Sequence, residues 1–235
     1  MNRSHAVNTR ARSENAIASH MRQVFNYMTG GVALSGAVAW FAISYNDGAL
    51  VMSLAQSGLM WLLLIAQLGL VFFLSFRIEK LQPNSALALF AGFSGLMGLS
   101  LAPLAFVYTQ ASIATAFFTA AGMFGAMSAY GYFTNRSLNG LGSFLFMGLI
   151  GLVIASVINI FLGSDQMSFI ISLIAVPLFA GLTAYDTQKI KEMGIQNAGN
   201  ELAQSRGAIM GALALYLDFI NMFVHLLQLM GNRQE

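Results

Sequence analysis

The sequence contains no cysteine, which excludes disulfide bonds, cysteine-ligated iron–sulfur clusters and thiol nucleophiles. Charged side chains are also scarce. Asp, Glu, Lys and Arg make up only 9% of the 235 residues, whereas a soluble domain usually carries about 25%. Hydrophobic residues make up 57%. A chain with this balance cannot cover itself with a polar surface, so the composition predicts an integral membrane protein.

Motifs of the common enzyme classes are missing as well. The sequence has no Ser-His-Asp set, no Gly-rich nucleotide loop and no HExxH zinc motif. The formal net charge of +2 comes from short loops and the N-terminal stretch, so it predicts topology rather than nucleic-acid binding. We therefore expect a non-enzymatic membrane protein without a resident cofactor, whose surroundings are the lipid bilayer.

Seven apolar segments are each near the length of about 20 residues that crosses the hydrocarbon core of a bilayer. Residues 1–22 are predicted to be a polar cytoplasmic tail, disordered or loosely helical, with solvated His5 and His20. Residues 23–231 are predicted to form one seven-helix transmembrane domain, which makes the fold class all-α. The predicted segments are about 23–45, 57–76, 86–108, 111–133, 141–162, 167–188 and 207–230.

The positions of Lys and Arg predict the orientation of these segments. If the N-terminus is cytoplasmic, every basic residue except Arg233 lies on the cytoplasmic side, as the positive-inside rule requires. Seven spans then place the C-terminus outside. A re-entrant last segment would instead return the C-terminus to the cytoplasm, and hydropathy alone leaves that alternative open.

The last segment carries an aspartate, Asp218, near its centre. A charged side chain there costs about 2.5–3.5 kcal/mol on insertion scales, so Asp218 should face protein or water rather than lipid. At the helical spacing of about 100° per residue, small residues precede Asp218 on its face and polar residues follow it. That face comprises Gly207, Gly211, Ala214, Asp218, Asn221, His225 and Gln228. We expect the small half to pack closely, and the other six helices to surround this one.

A second acid and an arginine are predicted near the cytoplasmic ends of other segments. Asp186 ends the sixth segment and Arg77 ends the second. Two carboxyl groups that meet in a low dielectric cannot both ionise cheaply, so Asp186 and Asp218 would share a proton. Arg77 nearby would favour the ionised pair and act as a latch, and the carboxylate oxygens suit a hard cation such as Ca²⁺. In the alternative interpretation, both acids only cap or hydrogen-bond neighbouring helices.

Small residues at helix-packing spacing also mark the fourth segment. Gly122, Gly125 and Ala129 would let backbones approach closely, which is how helices associate where no hydrophobic driving force acts between them. We expect these three residues to form a packing face.

The residues around the two acids resemble a known family. The stretches AYDTQKIK from Ala184 and LYLDFIN from Leu215, with AGMFGAMSAYGYFT of the fourth segment, are similar to the Bax inhibitor motif (YccA-like) family, and most to its bacterial inner-membrane members. The resemblance runs from about Met21 to Arg233. It implies six helices around a central seventh, a di-aspartyl pH sensor and a pH-dependent Ca²⁺ leak. By motif position, Asp186 and Asp218 would be the sensor pair and Arg77 the latch.

Three functions follow from these residues and this resemblance. The first is a cation leak controlled by protons, with Ca²⁺ as the ion. The second is a non-catalytic regulator that binds a membrane-bound AAA protease or another integral partner through residues 1–22 or its helix faces. The third is an intramembrane aspartyl protease, because Asp186 and Asp218 lie on successive segments. Against the third, residues 215–218 read LYLD where such enzymes carry GxGD.

Overall fold

The computed structural model describes residues 3–234, with side chains for residues 15–54 and 56–234. His5 and the rest of residues 1–14 are therefore outside the described side chains. Within the described residues there is no strand, and an isolated antiparallel bridge joins Tyr108 and Arg233. The helices, in chain order, are α1 (Arg3–Ser44), α2 (Ala49–Gln56), α3 (Leu59–Arg77), α4 (Pro83–Leu101), α5 (Leu104–Val107), α6 (Gln110–Phe133), α7 (Asn139–Leu162), α8 (Asp165–Gln196) and α9 (Glu201–Met230).

Seven helical stretches are long and apolar enough to cross a membrane, which confirms the predicted all-α class and the number of spans. The last stretch is the most buried, with 67% of its apolar window inside the protein, whereas the second and fifth have only 11%. Such burial fits a helix that others surround. The stretches are Asn15–Leu54, Leu59–Lys80, Pro83–Val107, Gln110–Phe133, Asn139–Leu162, Asp165–Gln196 and Glu201–Met230.

Several helices extend beyond the predicted segments. α1 begins at Arg3, twenty residues before the predicted span at residue 23, and α8 continues to Gln196 instead of ending near residue 188. Hydropathy marks only the part of a helix that matches the hydrocarbon core. A helix satisfies its own backbone hydrogen bonds, so it continues into polar sequence without further cost.

His20 is buried in α1, with only 2% of its surface exposed, so the prediction of a solvated His20 was wrong. Two glycines make room for its ring. A Cβ added at Gly194 of α8 would come within 3.0–3.3 Å of His20 atoms, and one at Gly207 of α9 would lie 3.5 Å from the ring. Neither ring nitrogen has a hydrogen-bond partner among the described residues. The polar sequence around His20 gave no sign of these glycine neighbours.

The chain divides into two compact units. The first comprises Met1–Leu104 and Ile190–Tyr216, and the second comprises Ala105–Lys189 and Leu217–Glu235. Both α8 and α9 therefore contribute residues to each unit. Asp186 and Asp218 belong to the second unit.

In the first unit, a buried tyrosine of α9 joins α1 and α4. The Tyr216 ring meets the edges of the Phe90 and Phe93 rings, each with a centroid separation of 5.7 Å. Its hydroxyl lies 2.6 Å from Ser35 Oγ, which in turn lies 2.7 Å from the carbonyl oxygen of Ser94. Because Ser35 has one hydroxyl hydrogen to donate to a carbonyl, Tyr216 donates to Ser35.

In the second unit, the end of α9 is held beside the start of α6. The amide nitrogen of Thr109 donates to Asn232 O at 3.1 Å, and that of Asn232 donates to Ser112 Oγ at 2.9 Å. α9 itself is a continuous helix of 30 residues, about 45 Å long, which is more than the thickness of the hydrocarbon core. A continuous helix of this length does not turn back inside a bilayer, so it favours a full span over a re-entrant last segment.

Candidate functional site

Asp218 lies on α9 with 4% of its surface exposed. The side chain of Thr183, a fully buried residue of α8, lies beside the Asp218 carboxyl group, and the Thr183 hydroxyl donates to the Phe179 carbonyl oxygen at 2.8 Å. The second carboxyl oxygen, Oδ2, has no hydrogen-bond partner among the described residues. Almost all buried polar atoms in native proteins have a partner, so this oxygen marks a place where a proton, a water molecule or an ion belongs.

Asp186 lies one helical turn after Thr183 on α8 and is half-buried. Its carboxyl group interacts electrostatically with that of Asp218 and with the Lys189 side chain. Lys189 is exposed, and its Nζ lies 5.9 Å from the centre of the Tyr185 ring. The structure thus brings the two sequence-predicted acids into one neighbourhood of the second unit, and the Lys189 side chain beside them is exposed at the surface.

Close packing fixes α8 immediately before Asp186. Gly131 of α6 lies against the backbone of Ala184, and a Cβ added there would overlap the Ala184 carbonyl oxygen. Gly142 of α7 lies against the Tyr185 ring in the same way. These contacts need glycine, because any larger residue would push α6 or α7 away from the segment that carries Asp186.

A buried glutamine fixes α8 immediately after Asp186. The side-chain amide of Gln188 donates from Nε2 to Arg136 O at 2.9 Å and accepts at Oε1 from the amide nitrogen of Leu138 at 2.8 Å. Gln188 thereby satisfies the backbone of the short α6–α7 loop. Reasoning from the sequence missed this role, although a glutamine beside the acid in an apolar span was a signal that its amide would need partners.

The polar half of the α9 face forms a separate cluster with α8. Ser172 Oγ lies 2.7 Å from Gln228 Oε1 and 3.1 Å from His225 Nδ1. Since Ser172 donates its one hydrogen to Gln228, His225 must donate from Nδ1 to Ser172. The Phe179 ring stacks on the imidazole with a centroid separation of 6.2 Å. Asn221 donates to the Leu217 carbonyl oxygen, within α9 itself. These contacts orient His225 and Asn221 without joining them to Asp218.

The small half of the α9 face lies in the first unit. A Cβ added at Gly211 would come within 3.0–3.3 Å of the Ile190 side chain, and Gly207 lies beside His20. Ala214 is half-buried. Arg77 is exposed at the end of α3 in this unit, so its latch role stays a prediction.

The described residues offer no preformed metal cage. No three side chains of His, Asp or Glu are grouped as metal ligands in the part of the chain whose side chains are described. Ca²⁺ takes six to eight oxygen ligands, and two carboxylates supply at most four.

Seven spans, with two interacting carboxyl groups on the two most buried helices, define this protein as a polytopic helical membrane protein with an intramembrane acid pair. A sequence profile of the family described as inhibitor of apoptosis-promoting Bax1 matches residues 17–235. The chain belongs to this Bax inhibitor family.

Bacterial relatives match the chain over nearly its whole length. The inner membrane protein YbhL of Escherichia coli K12 is 48% identical over 221 residues, which cover 93% of each chain. An uncharacterized protein of Rickettsia prowazekii is 42% identical over 222 residues, which cover 94% of this chain and 93% of the relative. One from Deinococcus radiodurans is 41% identical over 227 residues, covering 97% and 96%.

Proposed function

We propose that this protein is a proton-controlled cation leak in a bacterial inner membrane, in which Asp186 and Asp218 share a proton in the closed state. The observation that supports this most is the buried Oδ2 of Asp218, which has no partner among the described residues although a second carboxyl group lies nearby. An ionised carboxylate with an unpaired oxygen is costly in an apolar interior. A proton at this site removes that cost.

The Thr183 hydroxyl offers a way to sense this proton. It donates its one hydrogen to the Phe179 carbonyl oxygen at 2.8 Å, and the Asp218 carboxyl group beside it is a second possible acceptor. When the hydrogen goes to Phe179, the contact with Asp218 is a hydrogen bond only if Asp218 supplies the proton. When Asp218 is ionised, Thr183 turns its hydrogen to the carboxylate instead.

Loss of the shared proton opens the path in this mechanism. Two ionised carboxylates at close range repel each other and attract water and cations, which loosens α9 from α8 at Asp218. Arg77 would favour the ionised pair, as its proposed latch role requires. Leak of Ca²⁺ should therefore increase as the pH rises through the range in which the pair loses its proton.

Calcium flux into proteoliposomes tests this proposal. For the natural sequence we expect flux to increase with pH, by at most about tenfold per pH unit if one proton controls opening. Asp218→Asn removes the buried carboxyl group whose ionisation opens the path, so its flux should not vary with pH. Asp186→Asn should weaken the pH dependence without abolishing it, because the remaining Asp218 can still lose a proton but no second carboxylate repels it.

Ser156→Ala is the matched control. Ser156 lies on α7, and its hydroxyl donates back to the Leu152 carbonyl oxygen, away from both acids. Its flux should follow that of the natural sequence. A flux that does not depend on pH and is unchanged by Asp218→Asn would contradict the proposal. Absence of Ca²⁺ flux at every pH would instead favour a non-catalytic regulator that binds an integral partner.

The proposed orientation has its own test, which the absence of native cysteine makes simple. In the second unit, Arg233 at the C-terminus lies 3.9 Å from Asp165 at the start of α8, and both should be outside. The loop at Ser137, between α6 and α7, should be cytoplasmic. We expect a membrane-impermeant maleimide to label Ser164→Cys and Gln234→Cys on intact spheroplasts, and Ser137→Cys only after lysis. The reverse pattern would place the N-terminus outside.

A further inference from the structure

A serine of α6 is buried without a hydrogen-bond partner. Ser128 has 5% of its surface exposed, and its hydroxyl has no partner among the described residues. Serine and threonine in a transmembrane helix usually donate to the carbonyl four residues earlier, as Thr115 and Ser156 do here at 2.8 Å. Ser128 makes no such bond, so its hydroxyl points away from its own helix.

Two neighbours on α6 show where that hydroxyl points. Phe124, Ser128 and Gly131 lie within about 60° of one another around the helix axis. The Phe124 ring meets the edge of the Phe219 ring of α9 at 5.7 Å between centroids, and Gly131 lies against Ala184 of α8. Ser128 is between them on the same face. It therefore faces the line along which α8 and α9 meet.

Asp218 lies close to this line. Phe219 directly follows Asp218 on α9, and Ala184 directly follows Thr183, the α8 residue beside the Asp218 carboxyl group. Asp186 comes two residues after Ala184, about 200° around the axis of α8, so it is on a different face from the one that packs on α6. All of these residues belong to the second unit. Among the described residues of this unit, the two buried side-chain atoms without hydrogen-bond partners, Ser128 Oγ and Asp218 Oδ2, thus both belong to the packing of α6, α8 and α9.

We propose that Ser128 belongs to the acid site and that it holds one buried water together with Asp218. A buried water usually makes two to four hydrogen bonds, and these two side chains supply the minimum of two. The water donates to Oδ2 of Asp218 and accepts from the Ser128 hydroxyl. Its site has only oxygen ligands, so a hard cation can take its place. Only this replacement of the water by a cation rests on the proposed function.

The consequence is an energetic coupling between Ser128 and Asp218. Thermal unfolding of Ser128→Ala, Asp218→Asn and the double variant, in detergent and at one scan rate, measures it. We expect Ser128→Ala alone to lower Tm by about 2–4 °C. The water then loses one hydrogen-bond partner, while Oδ2 of Asp218 still requires a hydrogen-bond donor. In the Asp218→Asn background the same change should have a much smaller effect.

Ser156→Ala serves again as the control, and it should shift Tm equally in both backgrounds because its hydroxyl bonds within α7. The inference is wrong if Ser128→Ala leaves Tm unchanged or raises it, as removal of a hydroxyl without any partner would do. It is also wrong if the shift is equal in both backgrounds. Energetic coupling between Ser128 and Asp218 in a protein without Ca²⁺ flux would support the water site and contradict the proposed leak. A pH-controlled leak without that coupling would contradict the water site alone.

Discussion

Replacing Tyr216 with alanine is expected to lower the free energy of unfolding by about 3–5 kcal/mol, the range for truncation of a large buried aromatic side chain. Tyr216 is completely buried, and its ring fills the space between Phe90 and Phe93. The substitution leaves a cavity between α4 and α9 and takes away the hydrogen that Ser35 accepts. Chemical denaturation in mixed micelles measures the loss.

Tyr216→Phe separates the two causes. It keeps the ring and removes only the hydroxyl, so it should cost about 0.5–1.5 kcal/mol, as expected for one hydrogen bond. Equal losses in both variants would show that the hydroxyl, and not the ring, stabilises this part of α9.

Asp218 could be predicted from the sequence because the bilayer penalises a central acid strongly, and only a protein or water environment relieves the penalty. The number of spans could be predicted for a similar reason, since the thickness of the hydrocarbon core sets the length of each apolar segment. Both predictions depend on contact with a medium whose properties are known in advance. They need no knowledge of which helices are neighbours.

The contacts of the acids could not be predicted, because they depend on which helices meet. Gln188 binds a loop about fifty residues earlier in the chain, and Ser128 faces residues that follow it by more than fifty positions. Both residues lie within the stretches that carry the family resemblance, but the resemblance implied a role for Asp186 and none for Gln188 or Ser128. His20 shows the same limit in a polar stretch, where only the glycines of two distant helices explain its burial.

The glycine face of α6 was predicted wrongly for a further physical reason. Gly122, Gly125 and Ala129 have the right spacing, but all three are exposed on the surface of the chain, and a Cβ at either glycine would touch nothing within 4 Å. The face of α6 that packs against α8 carries Gly131 instead. In a soluble helix, polarity tells the inner face from the outer one. In a membrane both faces are apolar, so spacing alone cannot decide between them.

Gly131→Ala is accordingly expected to lower the free energy of unfolding by about 1–3 kcal/mol, the usual cost of overpacking. The new methyl group would overlap the carbonyl oxygen of Ala184, and backbone cannot rotate aside as a side chain can. α6 must therefore move away from α8 close to Asp186. Denaturation in mixed micelles gives the stability, and we expect the proposed Ca²⁺ flux of the variant to change as well.

Gly122→Ala is the matched control on the same helix, since a Cβ there has open space around it. It should raise the free energy of unfolding by up to about 1 kcal/mol, because alanine is the better helix former. The two substitutions add the same methyl group to one helix, so intrinsic helix propensity contributes equally to both. A difference in sign then isolates the contact with Ala184. If Gly131→Ala stabilised the protein as Gly122→Ala does, α6 would not be packed against the segment that carries Asp186, and Ser128 would lose its place beside Asp218.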